Sequence, residues 1–467
     1  MTAPTDDRIT RAIGELRAVI SPDRVVTSGP AYDVACALWN GAVVHRPGVL
    51  VRAEQNADVA AAVRTAVGLG LPLTVRGGGH DWAGRALSDR GVTVDLSRMR
   101  HVSVDQGSLV ARVGGGATTA DLVAAAEEHG LTAVTGTSGA VGLAGLSLGG
   151  GYGPLSGRFG LAADNILSAT LVLADGSTVT ASADDEPELF WAVRGGGGNF
   201  GVVTGMEIRL HRVPALLSGM IMYPWSQAPS VLAALEDVLL GEPDELTVQT
   251  GVVTAPDGNP ALFLAPTWSG GSDKDRAEGE KALARLSALG QPLVAQVGPA
   301  RMSDVLAGTD ALFPFGRHVR IRTRTLPGLA AGVRSALLAS GEVLPTPTSA
   351  IALHSLHGAA ARVRATDTAF GNRTPHLMTE IIAVWEADDQ AAPAHRAWAD
   401  DLHTTLAPDA CPGGYPNLLG PDDSDQITHS YGPNIRRLLD AKRRFDPDNV
   451  FNATSLPSEP DSGPDHR

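Results

Sequence analysis

Cysteine is nearly absent: Cys36 and Cys411 are the two in 467 residues. Thiols that far apart encode neither a disulfide scaffold nor a cysteine-based zinc site. Aromatic side chains make up 4% of the chain, so no stacked aromatic cage stands out. No apolar run approaches the roughly 18–20 residues that a membrane helix needs. Basic residues number 37 against 51 acidic, a net charge of −14. With no basic run, neither nucleic acid nor a membrane surface is expected as a partner. The 13 histidines show no His-x-x-x-His or His-Glu-x-x-His spacing, so no metal site is expected. The opening segment, MTAPTDDRIT, is acidic and polar and lacks the apolar core of a signal peptide. What remains has the 43% hydrophobic and 19% charged composition of a soluble globular protein. The expected setting is cytoplasmic, and the length suggests two to three domains at about 100–200 residues each.

Glycine is the residue in excess, 54 of 467, about 12% against a usual ~7%. It comes in runs, Gly77 to Gly79, Gly114 to Gly116, Gly149 to Gly151 and Gly195 to Gly198. Such runs mark backbone at positive φ or backbone lying very close to something else. Consecutive exposed N–H groups also form anion-binding nests, so four clusters suggest a large anionic ligand such as a dinucleotide. Bulges and corners of a β-rich domain would use the same glycines. No fixed-period repeat is present.

Residues 47 to 215 read as short strands broken by glycine loops. Asn56 opens a helix with Val59, Ala62, Val63, Ala66 and Val67 on one face, and Leu71 to Val75 is the strand that runs into the first glycine run. Thr119 to His129 reads as a helix, and Thr170–Ala174, Asp175-Gly176 and Ser177–Ala181 as a β-hairpin. A short helix, Glu186 to Val193, precedes the strand Val202 to Leu210. From about 215 to 405, strands at Leu246–Val253, Leu262–Trp268, His318–Arg324 and Thr379–Trp385 interleave with helices at 229–240, 273–288, 327–340 and 393–406. That pattern predicts one sheet with a helical layer, an α+β arrangement. The tail carries a helix, Asn434 to Arg444, then a strand-like Val450–Ala453, and reads as folding back onto the first region.

Gly196, Gly198 and Gly201 spell Gly-x-Gly-x-x-Gly, but they follow a helix and open a strand, the reverse of a Rossmann unit. No Gly-Lys-Ser or Gly-Lys-Thr occurs, so there is no P-loop. The first run reads Arg76-Gly77-Gly78-Gly79-His80-Asp81. A strand there delivers three glycines between a guanidinium suited to a diphosphate and an imidazole placed where the backbone leaves room for something flat.

In this context the chain resembles the berberine-bridge-enzyme-like FAD-linked oxidases, within the vanillyl-alcohol-oxidase (PCMH-type) FAD-binding class. The matching pieces are Trp39-Asn40-Gly41, RGGGH ending at His80, GLAGLSLGGGYGPLSGRFGLAADNI from Gly142 to Ile166, and ELFWAVRGGGGNFGVVT from Glu188 to Thr204. HGAAARV with TAF beyond it and the terminal RLLDAKRRFDPDNVFN complete the set, in order and over nearly the whole chain. Within the family, bacterial members acting on nicotine-like amines or polyketide intermediates are nearest.

The resemblance implies an FAD-binding domain at 1–213, with a PCMH-type core about 42–213. It also implies a substrate domain at 214–419 with a large antiparallel sheet under helices, and a segment at 420–467 returning to the first. FAD would lie with its diphosphate along Arg76, Gly77, Gly78 and Gly79 and along the second loop, Gly136, Thr137, Ser138, Val141, Gly142 and Gly145. Further flavin contacts carry over onto Gly151, Tyr152, Gly153, Asp164, Asn165, Ile166, Gly198, Asn199, Gly201, Val202, Val203, Asn417 and Asn449. His80 matches the histidine joined covalently to the flavin 8α-methyl carbon, a bond that raises the flavin's appetite for hydride. The implied reaction is hydride transfer from a small organic substrate, an alcohol, amine or secondary-metabolite intermediate, with reoxidation by O2. The enzyme would act as a monomer or homodimer. A redox-neutral cyclase or isomerase and a carbohydrate oxidase are the alternatives.

Two positions depart from the family pattern. Many relatives attach the flavin a second time through a cysteine; Ser138 stands there, and a hydroxyl is a poor nucleophile at neutral pH, so a single linkage is expected. Sugar and alcohol oxidases of the family place a tyrosine base where Tyr415-Pro416-Asn417-Leu418 has Leu418, which takes no proton. Candidates for the base are therefore His354, which shares a strand face with Ala352 by the period of two, and Tyr415 and Tyr431.

Overall fold

The computed structural model describes residues 5–213 and 216–457. The first four residues of the polar opening, the far side of the junction drawn at 213/214 and the end of the tail drawn to 467 lie outside the described residues. Among the described residues the strands form three sheets. In the first, Val49–Arg52, Val92–Asp95 and Leu73–Arg76 run parallel, with Val25–Val26 antiparallel at the edge. Helix Asn56–Leu69 connects two of these strands and buries Val59, Ala62, Val63 and Ala66 of the face its periodicity predicts, while Val67, the fifth residue of that face, is exposed. The second sheet is antiparallel, in the order Val102–Asp105, Val110–Gly114, Val202–His211, Ile166–Val172, Thr178–Ser182, and Thr132–Ala133 pairs the end of its central strand.

The third sheet has seven antiparallel strands, ordered Val294–Ala300, Leu216–Pro224, Pro260–Trp268, Leu246–Thr254, Ala350–Leu356, His376–Trp385, His318–Leu326. Helices Ala228–Leu240, Asp273–Ser287, Ala331–Gly341 and Ala392–Leu406 cover one face, packing Leu232, Leu286, Leu337 and Leu402 against Ile351, Leu353 and Ile381. The alternation of a pleated strand sends Ala352, His354, Met378, Glu380 and Ile382 to the opposite face, where a cavity opens. The fold is α+β, as the sequence predicts. No helix among the described residues is long and apolar enough to cross a membrane.

The sequence misplaces one element. Val450–Ala453 forms no strand, because its backbone groups are taken by side chains of the preceding helix. Asp446 accepts from the N–H groups of Val450 and Phe451 at 2.9 and 2.8 Å, and Lys442 Nζ donates to the Phe451 carbonyl at 2.6 Å. The helix itself, Ile435–Phe445, packs Leu438 and Ala441 into the core of the second sheet.

Buried polar clamps join the layers. Asn40 donates to the carbonyls of Trp82 and Val319 at 2.7 and 2.9 Å and accepts from the N–H groups of Ala42 and Val319 at 3.1 and 2.9 Å. Arg373 forks onto Asp164 at 2.8 and 2.7 Å, and its remaining donors reach Thr368, Phe370 and Ala360. Removing one member of a buried pair leaves the other charge uncompensated, at a cost of about 3–5 kcal/mol. Arg373→Ala is therefore expected to lower the urea midpoint of the flavin-free protein clearly, followed by tryptophan fluorescence; a midpoint equal to wild type contradicts that reading of the clamp.

Candidate active site

Strand Leu73–Arg76 ends where the first and second sheets meet, and its continuation, Gly77 to Gly79, turns over the second glycine loop. A Cβ on Gly78 would strike the backbone nitrogen of Gly142, so the two loops lie main chain to main chain. Gly79 holds φ +68°, which brings His80 round to the cavity wall. Among the described residues the N–H groups of Gly77, Gly78 and Gly79 donate no hydrogen bond. Gly145 and Gly198 line the same space, and a Cβ on either would touch nothing within 4 Å. A glycine cradle with unpaired N–H groups and open room beside it suits a diphosphate and a flat ring system, so these residues fit FAD.

The cavity holds about 380 Å³ and is closed on its far side by the seven-stranded sheet. His80 is stacked on Trp39, ring centroids 4.6 Å apart and planes 16° apart, with the Phe315 ring perpendicular to it at a centroid distance of 5.7 Å. This enclosure pushes the imidazole down to about 4 from its ordinary 6.5, outweighing the nearby carboxylates Asp310 and Asp81, so the ring is neutral at pH 7.

Facing it, His354 Nε2 stands 3.4 Å from Glu380 Oε1 and 3.3 Å from the Gln249 side-chain amide. Ladder register brings these three together: His354 pairs with Met378, Ala352 with Glu380, and Thr250, beside Gln249, with Leu353. Tyr152 also lines the cavity. Its hydroxyl meets His376 Nε2 at 2.7 Å, and because His376 Nδ1 donates to the Thr374 carbonyl at 2.7 Å, Nε2 is the acceptor and Tyr152 the donor. Burial pushes His376 down to about 4 and Tyr152 well above the usual phenol range. Tyr415 reaches the cavity too; its oxygen accepts from the Gly151 N–H at 3.0 Å and the Asn417 amide at 2.9 Å, and burial pushes it up to about 12.

Of the sequence-predicted site residues, the cavity brings together Gly77, Gly78, Gly79, His80, Gly136, Thr137, Ser138, Val141, Gly142, Gly145, Tyr152, Gly198, Gly201, Val202, Val203, His354, Tyr415 and Asn417. Others stand behind it. Arg76, expected on a diphosphate, pairs with Asp95 at 3.3 Å, its partner in the parallel ladder, and braces the glycine turn from beneath. Asp164 is held by Arg373, and Asn165 donates to the carbonyls of Phe159 and Leu161. Ile166 begins a strand. Gly151 and Gly153 give their N–H groups to Tyr415 and Ser156, and Asn199 gives its side-chain amide to Gly196. Asn449 sits in a turn at φ +53°. Tyr431, a candidate base, is fully buried in the core and donates to the Ser455 carbonyl, out of reach of the cavity.

Sequence reasoning missed Glu380, Gln249 and Asp310. Glu380 had a signal, being the only acid in the run HLMTEIIAVW, since a charge in a buried strand needs a reason. Asp310, on helix Met302–Leu312, had none: its carboxylate accepts from Ser138 Oγ at 2.5 Å and from the Gly139 N–H at 3.1 Å, contacts made across 170 residues of chain.

Comparison with known proteins agrees with this geometry. A family profile for an FAD binding domain matches residues 47–182, and one described as berberine and berberine like matches residues 415–455. The FAD-linked oxidoreductase aurO of Gibberella zeae is 33% identical over 447 residues, 94% of this chain and 86% of that protein. The (R)-6-hydroxynicotine oxidase of Paenarthrobacter nicotinovorans is 40% identical over 294 residues, 62% of each chain. Among solved structures, 6-hydroxy-D-nicotine oxidase from Arthrobacter nicotinovorans superposes with a TM-score of 0.83 at 30% identity, covering 92% of this chain and 96% of its own. Berberine bridge enzyme in complex with (S)-reticuline shares the fold at a TM-score of 0.85 and 21% identity, over 98% of this chain and 100% of its own. With the glycine cradle, the cavity and a relative matched along most of its length, the chain belongs to the berberine-bridge-enzyme-like FAD-linked oxidoreductases and is an FAD-dependent enzyme.

Proposed function

We propose that the protein is an oxidase in which FAD is joined to His80 and a small alcohol or amine is oxidised against the seven-stranded sheet. On this reading residues 1–213 and 420–467 hold the cofactor and 214–419 the substrate. The observation that carries it is the cluster of His354, Glu380 and Gln249 facing the glycine cradle across one cavity. Bound FAD supplies a hydride acceptor that returns its electrons to O2.

The chain's own residues would manage the proton. His354 Nε2 would accept the Gln249 amide; once that nitrogen takes a proton from the substrate heteroatom, it donates instead to Glu380. Tyr415 holds its proton at neutral pH and acts as a donor that orients the bound ring or substrate. Apolar walls at Ile321, Met378, Ile382 and Leu418 exclude water. Among the described residues, Glu380 and Asp310 have no lysine or arginine partner, which favours a cationic amine over a neutral sugar. Ser138 spends its hydroxyl on Asp310, in keeping with a single linkage. Two unpaired cysteines suit a reducing, cytoplasmic setting.

Three outcomes follow. Acid-precipitated, washed protein should stay yellow while His80→Ala loses its FAD under the same treatment; a colourless wild-type pellet contradicts the linkage. Peptide mapping should find flavin mass on the His80 peptide and none on the Ser138 peptide. His354→Gln and Glu380→Gln should each slow anaerobic flavin reduction at least about tenfold with flavin content intact, a base being worth ~10²–10⁴-fold. Reduction at the wild-type rate in both variants removes the pair from catalysis.

A further inference from the structure

Helix Met302–Leu312 comes from the substrate side of the chain but is docked on the glycine loops. At its start, Ser303 gives its N–H and hydroxyl to Glu127 at 2.9 and 2.7 Å. Near its end, Asp310 receives Ser138 Oγ at 2.5 Å, the Gly139 N–H at 3.1 Å and the Ala140 N–H at 3.4 Å. Just beyond, the Phe313 carbonyl accepts from Trp39 Nε1 at 3.0 Å, the same Trp39 that stacks on His80, and Phe315 stands perpendicular to that imidazole. The helix end therefore wraps the His80 corner of the cavity, and Asp310 lines it there.

Three carboxylates line this cavity. Asp81 is neutralised by Arg85, which reaches it through Nε and Nη2 at 3.0 and 2.5 Å. Glu380 stands with His354. Asp310 alone has no ionisable side chain as a partner among the described residues, and its hydrogen bonds come only from a hydroxyl and two backbone N–H groups. Structural need explains part of this, since the carboxylate fills the nest made by Gly139 and Ala140. It does not explain an uncompensated anion turned to the cavity beside a neutral imidazole.

We propose that Asp310 is the base for the protein's own attachment of FAD at His80, an inference that rests on the single His80 linkage proposed above. In that step Asp310 takes a proton from the flavin 8α-methyl group, and a ring nitrogen of His80 bonds to that carbon and gives up its N–H proton. The bond leaves an electron pair on the flavin, and O2 accepts it with the two protons as H2O2. The methyl group and the imidazole thus lose one hydrogen each, and both appear in the peroxide. Enclosure that keeps His80 uncharged leaves it a free lone pair for the attack.

The test uses the full chain purified without flavin from riboflavin-starved cells, mixed with FAD in air. Covalent flavin is read by in-gel fluorescence after denaturation, and FAD binding separately by quenching of free flavin fluorescence. Asp310→Asn, which keeps an acceptor for Ser138 and Gly139, should bind FAD and attach it about 100-fold more slowly, within the usual range for a lost base. Formate should restore attachment to Asp310→Ala. Attachment at the wild-type rate in Asp310→Asn overturns the role of Asp310 and leaves the linkage standing. Loss of FAD binding in that variant makes the carboxylate structural and also overturns it. A wild-type protein that never forms covalent flavin fails at the His80 linkage itself, and the inference falls with it.

Discussion

Main chain lies against main chain where Gly78 meets Gly142 and where Gly115 meets Val203. The cavity exists because no side chain stands between them. A Cβ at either glycine would push two loops apart and carry the N–H groups of Gly77 to Gly79 away from a common focus. Arg76 and Asp95, paired beneath the turn, keep the strand end and the loop in step. The glycine excess of the composition is thus the price of one contact made several times over, and it restricts the cradle to a ligand that is flat in one part and anionic in another.

The opposite wall obeys a different rule. The seven-stranded sheet buries one face under helices, and the period of the strands leaves the other face to be furnished residue by residue. Apolar side chains take most positions, and His354, Glu380 and Gln249 form a single polar island among them. A polar island in an apolar wall is held in place by its neighbours, so its hydrogen-bond pattern can respond to one proton without the sheet moving. The two walls are locked by Asn40 and by the Arg373–Asp164 pair, which fix the distance between cradle and island.

Much of this was legible in the chain. Glycine runs marked the loops, strand and helix periods gave the α+β layers, and the period of two put His354 with Ala352 on the cavity face. What escaped was whatever depends on pairing across long stretches of sequence. Arg76 read as a diphosphate partner because its ladder neighbour Asp95 lies outside any local pattern. Val450–Ala453 read as a strand because its apolar residues look like one, while Lys442 and Asp446 take its backbone groups instead. Tyr431 was a plausible base by position, yet the second sheet's core encloses it. Asp310 sits on helix Met302–Leu312 with no local pattern to mark it, and only the fold carries it to Ser138.

On the proposed reading the flavin ring would lie between His80 and the His354–Glu380 island, with its diphosphate on the first glycine turn. A crystal structure of the flavin-loaded protein tests this most directly. Diphosphate oxygens are expected within hydrogen-bond distance of the N–H groups of Gly77 to Gly79, and a ring with one edge at His80 and one face open toward His354. A flavin seated with its ring away from His80, or with the sheet's polar island out of reach of its exposed face, would contradict it.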